Sequence, residues 1–253
     1  KHSRYILCEK PMATSLKDAQ NMIATCEEHN THLAINHQMR FMDQYTLIKD
    51  ELAGDHLGRL GSMNVVTGNI GLAMNGSHYF EAFRYLTDSR IKSVSAVFSS
   101  SELANPRGEQ FRDAAGVLMC LAESGQHFLL SAGERQGHGM TVTYATQWGS
   151  IFCDELGGKY VVTARQSEHR DLPSTRYGMP SERHEKMFSP ASNVGITAAV
   201  MKALLDEINY PNGQDGWHAI ACLVAAYKSA ETGGRAARLD DLSDYESKVF
   251  PWA

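Results

Sequence analysis

Three short stretches of this 253-residue chain place reactive side chains where a fold could present them to a ligand. In "ILCEKPMATS" (6–15), an apolar run ends in Glu9-Lys10-Pro11 and a capped helix follows. Ligands in open parallel sheets bind beyond the carboxyl ends of strands, so a lysine delivered there can hold a substrate hydroxyl or a cofactor ribose. Its ammonium would also ease proton loss from a hydroxyl undergoing oxidation. The plainer alternative is an exposed Glu-Lys pair ahead of a helix. In "NGSHYFE" (75–81), His78 falls in the first turn of a helix, whose positive end favours the neutral imidazole that a general base requires. Glu81 lies three residues on, on the same face, and can orient His78 or a substrate hydroxyl. His78 could equally be a capping or half-buried structural histidine. In "NHQMRF" (36–41), Arg40 can contact phosphate or ribose, or pair with a carboxylate and lock a domain junction.

The elements that would position these residues are legible from periodicity. The first forty residues read strand, helix, strand: Tyr5 to Cys8, a helix opened by Ser15 and Asp18, and His32 to Asn36. Two strands joined by one such helix form a βαβ unit and favour a parallel sheet. A helix over 43–52, a strand over 60–67 and a helix over 75–86 follow. Strands are then predicted at 91–98, 114–121, 127–132, 140–145, 150–153 and 159–164. Turns at 123–125, 137–139 and 157–158 suggest an antiparallel meander. Residues 165–190, with Pro173, Pro180 and Pro190, read as a long polar loop, and helices are expected near 192–208 and 213–232. The fold class is therefore α/β plus α+β. Residues 1–42 form a βαβ remnant, and 43–253 form a domain built on a large, mainly antiparallel sheet.

Composition narrows the functional classes. The net charge of −5 comes without a basic block, which argues against a nucleic-acid partner. No apolar run approaches the roughly 18 residues of a membrane span. The five cysteines are odd in number and scattered, as in a reduced cytoplasmic protein. Eleven histidines include no HExxH or comparable spacing, and His29, His32 and His37 straddle a helix end and a strand, so no metal site is expected.

Taken in order, these stretches resemble the Gfo/Idh/MocA oxidoreductases, the relatives of glucose–fructose oxidoreductase and inositol dehydrogenase. "ILCEKPMATSLKDAQNMI" is similar to the family's V-L-C-E-K-P-x-A segment. "AINHQMRF", "GRLGSM", "GSHYFEAFRYL", "DAAGVLMCLAESGQHFLL" and "GWHAIACLVAAYKSAETGGRAARL" follow in the family's order. The resemblance covers almost the whole chain. It implies that residues 1–42 are the C-terminal part of a dinucleotide-binding Rossmann domain and 43–253 a substrate-binding and oligomerisation domain. It implies an NAD- or NADP-dependent enzyme that transfers hydride to or from a sugar, polyol or sugar-like hydroxyl, with a large sheet that mediates homo-oligomerisation as a dimer or tetramer. It places Lys10 and His78 beside the nicotinamide and the reacting carbon. Glu9, Lys10, Pro11 and Arg40 would face the cofactor, and Lys10, Asn75, His78 and Glu81 the substrate. The family's Lys-Pro peptide is frequently cis, which would aim Lys10 inward.

Two departures from the family pattern bear on function. The family usually carries an Asp four residues before the histidine, where this chain has Met74; Asn75 beside it supplies polarity but no carboxylate. Glu81 replaces the Asp of H-x-x-D. The family's phosphate-binding strand, G-x-G-x-x-[GA] turn and ribose-binding acid all precede E-K-P, and this chain contains none of them. It is therefore expected to lack the N-terminal phosphate-binding half. The alternatives are a non-catalytic sugar-binding or oligomerisation module, or a non-redox epimerase-, lyase- or glycosidase-like member.

Overall fold

The computed structural model describes residues 3–68, 70–100, 105, 107–137, 139–173, 180–189 and 192–252. At its start, β1 (Tyr5–Cys8) and β2 (His32–Ile35) pair in parallel, from Tyr5 opposite His32 to Cys8 opposite Ile35. The connecting α1 (Leu16–Glu28) begins where the sequence predicts: Ser15 Oγ accepts the Asp18 N–H at 3.1 Å and meets the Asp18 carboxylate at 2.7 Å. Such a cap satisfies a donor that a helix start leaves without an intrahelical partner. Leu16, Ala19 and Ile23 turn the apolar stripe of α1 inward.

Among the described residues the second sheet has nine strands. After α2 (Asp43–Ala53) come β3 (Leu60–Gly68), α3 (Ser77–Thr87), β4 (Ile91–Phe98), β5 (Gly116–Ala122), β6 (His127–Gly133), β7 (Met140–Thr146), β8 (Gly149–Asp154) and β9 (Lys159–Arg165). Then follow β10 (Ser181–Met187), α4 (Asn193–Leu205), α5 (Gly213–Glu231) and β11 (Ala237–Arg238). The spatial order is β10-β9-β8-β7-β3-β6-β5-β4-β11.

Two expectations need correction. The sheet is not a simple meander: β3 lies between β6, to which it is parallel, and β7, to which it is antiparallel. Periodicity reports that a segment is a strand but says nothing of which strand it will pair with. The predicted loop over 165–190 contains β10, paired along its length with β9. Every residue of β10 is exposed, so it lacks the alternation that marks a half-buried strand; its charged residues suit a sheet edge. Pro190, and His138 of the Gly-His-Gly turn, lie outside the described residues.

One continuous core runs across the 42/43 division. The reason is α5, which packs on β4, α1, α3 and β2 and is apolar nearly all round. Its N-terminal turn approaches the small sheet closely. A Cβ on Gly216 would lie 2.5 Å from Ile35 Cγ1 and 2.8 Å from Met12 Sδ, so only glycine fits. Among the described residues no helix is long and apolar enough to cross a membrane.

Candidate active site

The site is assembled where the ends of the small parallel sheet meet the turn before α3. Glu9 and Asn36 follow β1 and β2, and Asn36 Nδ2 donates to Glu9 Oε1 at 2.8 Å, tying the two strand ends together. Lys10 is next, buried to 9% exposure, with a cis peptide to Pro11. Its Nζ donates to the Met74 carbonyl, 64 residues away in sequence. Met74 belongs to a π-type turn, Leu72–Gly76, closed by the Gly76 N–H on the Gly71 carbonyl at 3.0 Å. Turns of this type are uncommon and recur at functional sites. The turn runs straight into α3, so His78 sits in the first helical turn, buried. Asn75 is half-buried beside it.

A second imidazole joins the first. His37, just past β2, meets His78 edge to face, with ring centroids 5.6 Å apart. Among the described residues, Asn36 Oδ1 and the Nδ1 atoms of both histidines are buried without a hydrogen-bond partner. Buried polar atoms are normally paired, so three orphans beside one lysine mark a place that a polar ligand would complete.

Burial dominates the electrostatics. It lowers Lys10 to about 8, with the nearby Arg107 cation adding to the effect and Glu9 and Asp113 opposing it. Burial likewise lowers His37 to about 3 and holds His78 well below the usual histidine range; the neighbouring His37 and Lys10 push His78 further down. Both imidazoles are thus neutral near pH 7, while Lys10 exchanges its proton close to working pH.

Arg40 and Glu81 do not take the ligand-facing positions expected for them. Both are buried, and they pair with each other. Arg40 Nε donates to Glu81 Oε1 at 3.0 Å, and Nη2 donates to the same carboxylate and to Asp215 Oδ2 at 3.1 Å. Nη1 reaches the backbone and side-chain oxygens of Asn209, each at 3.3 Å. Arg84 completes the cluster at 3.0 Å from Asp215 Oδ1. Every N–H of the Arg40 guanidinium is therefore engaged within the chain, and none is left for a phosphate. The alternative reading of Arg40, a carboxylate-paired lock, matches this geometry.

Asp113 is the residue that sequence reasoning missed. Its two carboxylate oxygens accept the Ala73 and Met74 N–H groups, each at 2.8 Å. It opens the family-like segment DAAGVLMCLAESGQHFLL, but a lone aspartate before β5 carries no local sign of the partner it will meet. His37 carried a weak signal, its place past a strand end. Among the described residues no three His, Cys, Asp or Glu side chains are grouped to hold a metal.

The neutral histidines set a pH dependence of stability. His37, His78 and His218 are all depressed, chiefly by burial, so the unfolded chain binds protons below about 6.5 that the folded chain refuses. Stability is expected to be fully present above that pH and to fall steadily as pH drops toward 3. Thermal melts across this range should show the slope, and His37→Gln should flatten it; an unchanged slope in that variant would count against the assignment.

Comparison with known proteins finds similarity along the chain. Residues 1–37 match the family described as "Oxidoreductase family, NAD-binding Rossmann fold". The rhizopine catabolism protein MocA of Rhizobium meliloti is 24% identical over 148 residues, 51% of this chain and 44% of that protein. The 1,5-anhydro-D-fructose reductase of Ensifer adhaerens is 34% identical over 56 residues, 22% of this chain and 17% of the reductase. The chain thus spans less than half the length of these curated relatives. Among solved structures, aldose-aldose oxidoreductase from Caulobacter crescentus, complexed with glycerol, superposes with a TM-score of 0.68 at 21% identity, covering 92% of this chain and 72% of that one. In its first 37 residues, and at low identity further along, this chain is similar to the Gfo/Idh/MocA oxidoreductases, and it shares their fold.

Proposed function

We propose that this chain forms the substrate-facing part of an oxidoreductase that passes hydride between NAD or NADP and a hydroxyl of a sugar, polyol or sugar derivative. The observation that carries the reading is the convergence of Lys10 with the turn that leads into His78, beside three buried polar atoms that have no partner among the described residues. These groups fit the nicotinamide end of a dinucleotide and the hydroxyl that would face it. Glu9, Lys10 and Asn36 would hold the cofactor's ribose side; a bound nicotinamide supplies hydride acceptance or donation. Lys10 binds the reacting oxygen and exchanges its proton, its pKa lying nearest working pH. Neutral His78 takes or gives a hydrogen bond at the same hydroxyl and orients it. The names of the reductase and the aldose enzyme support a carbohydrate-like substrate.

The test is sugar- or polyol-dependent reduction of NAD or NADP, read by nicotinamide absorbance, with the chain alone and with a relative's phosphate-binding half supplied in trans. No turnover on any aldose or polyol in either arrangement would defeat the reading. A related expectation concerns the chain alone. Pyrophosphate affinity in such folds comes largely from N–H groups at a glycine-rich turn, which these 253 residues do not contain. Calorimetric titration with either dinucleotide should therefore show no saturation below about 1 mM. Tight binding would mean that another part of the chain holds the phosphates.

The second reading, a binding module or a non-redox member, is favoured by Met74 in place of a carboxylate. Product analysis in deuterated solvent separates the non-redox member, which exchanges solvent deuterium into substrate without net change in the dinucleotide.

Assembly through the large sheet belongs to the same proposal. Val97 and Val117 are cross-strand neighbours, and the register puts Met119, Val66 and Phe152 on the same face. All five are exposed. Large apolar side chains exposed on one sheet face suit an interaction surface. Light scattering is expected to give at least a dimer, and Val117→Asp with Met119→Asp a monomer. A monodisperse monomer before substitution would overturn the assignment.

A further inference from the structure

We propose that Asp113 is the positioning residue of this site: its carboxylate holds the 72–76 turn so that the Met74 carbonyl meets Lys10 and His78 is presented beside it. The inference rests on reading Lys10 and His78 as the reacting pair.

Met74 is gripped at both ends. Its N–H donates to Asp113 Oδ2 at 2.8 Å while its carbonyl accepts from Lys10 Nζ. Ala73 N–H donates to the other oxygen, Oδ1, also at 2.8 Å, so one carboxylate forks across two consecutive amides. Bonds from N–H groups to a charged acceptor are among the stronger kind, and a turn start leaves its first amides without internal acceptors. The loop carrying Asp113 adds a third tie, the Leu72 N–H on the Ala114 carbonyl at 2.9 Å. Asp113 itself is only 4% exposed, so water does little to satisfy its charge.

Gly71 shows that the approach is built into the chain. Its backbone, φ −81° and ψ 150°, is extended and open to any residue, so conformation does not require glycine there. Space does: a Cβ at position 71 would lie 1.9 Å from Asp113 Oδ2. Downstream, Ser77 Oγ donates to the Ala73 carbonyl at 2.6 Å, which passes the fixed position of the turn to the start of α3 and so to His78.

The experiment titrates Lys10 by NMR in the 253-residue chain labelled at lysine, the resonance being assigned with Lys10→Arg. The charged and titratable groups facing Lys10 are Glu9, Arg107, Asp113 and the His37 and His78 rings. Asp113→Asn removes one negative charge from that set. It is expected to lower the Lys10 midpoint by about half a pH unit or more. It should also speed hydrogen exchange at the Ala73 and Met74 amides by about tenfold or more. Ile151→Val, a remote buried change, supplies the purely structural control and should move neither. Should Asp113→Asn fail to fold, Gly71→Ala displaces the carboxylate without removing it and should shift both readouts in the same directions. A Lys10 midpoint that stays within about 0.2 units or rises, or amides as protected as before, overturns the proposal. Neither readout requires cofactor or turnover. A chain that shows the coupling but no dehydrogenase activity keeps the clamp and loses the functional reading, and the reverse pattern keeps the function and loses the clamp.

Discussion

On the proposed function, replacing Lys10 by methionine is expected to lower kcat/KM about 10²- to 10⁴-fold, assayed with a relative's phosphate-binding half in trans, the range for losing a proton-exchanging group. The same substitution should leave the fold intact or firmer. Lys10 has its pKa lowered from 10.5 to about 8, so the unfolded chain binds a proton between these values that the folded chain releases. Folding is therefore opposed below pH 8, and the opposition fades as pH rises from about 8 to about 10.5. Removing the ammonium removes that opposition. Loss of turnover without loss of stability thus separates a catalytic lysine from a structural one. Arginine at position 10 should fail to restore activity, because a guanidinium does not release its proton in this range. The pH profile of kcat/KM should break near 8 in the parent and lose that break in Lys10→Arg. A folded Lys10→Met variant with activity within about threefold of the parent would remove Lys10 from the mechanism.

Arg40→Met should do the reverse, with its effect falling on stability. Glu81 has no exposed side-chain surface and Asp215 little, and both rely on Arg40. Burial pushes the Glu81 pKa up while Arg40 and Arg84 pull it down, so removing Arg40 leaves a buried carboxylate with its main counter-charge gone. Breaking a buried pair by deleting one partner costs about 3–5 kcal/mol, and Arg84, 3.4 Å from Glu81, should hold the loss toward the lower end. Urea denaturation measures it. The double variant Arg40→Met, Glu81→Leu should recover much of the loss, since no uncompensated charge then remains. A single-variant loss under about 1 kcal/mol would mean that the cluster is dispensable.

The local half of this structure is written in short-range patterns. Ser15 and Asp18 announce α1, and the apolar stripe Leu16, Ala19 and Ile23 follows at helical spacing. The βαβ start, the strands from Ile91 to Arg165 and the position of Lys10 past a strand end all follow from periodicity and turn residues, which act between neighbours. The Glu-Lys-Pro and Gly-Ser-His stretches likewise stand out as candidate sites because strand ends and helix starts are themselves local features. What failed to show was decided at long range. Nothing near Leu60 to Gly68 says that this strand will slot between β6 and β7, and nothing in Ser181 to Met187, exposed on both faces, marks a strand at all. Arg40 read as a phosphate contact because a lone arginine past a strand is ambiguous; its partners Glu81, Asn209 and Asp215 lie 41, 169 and 175 residues away. Asp113 meets Met74 across 39 residues, and only packing brings them together. A buried charge takes the partner that the assembled core places beside it, so its role belongs to the tertiary structure, whereas helix starts, strand alternation and turn chemistry belong to the sequence.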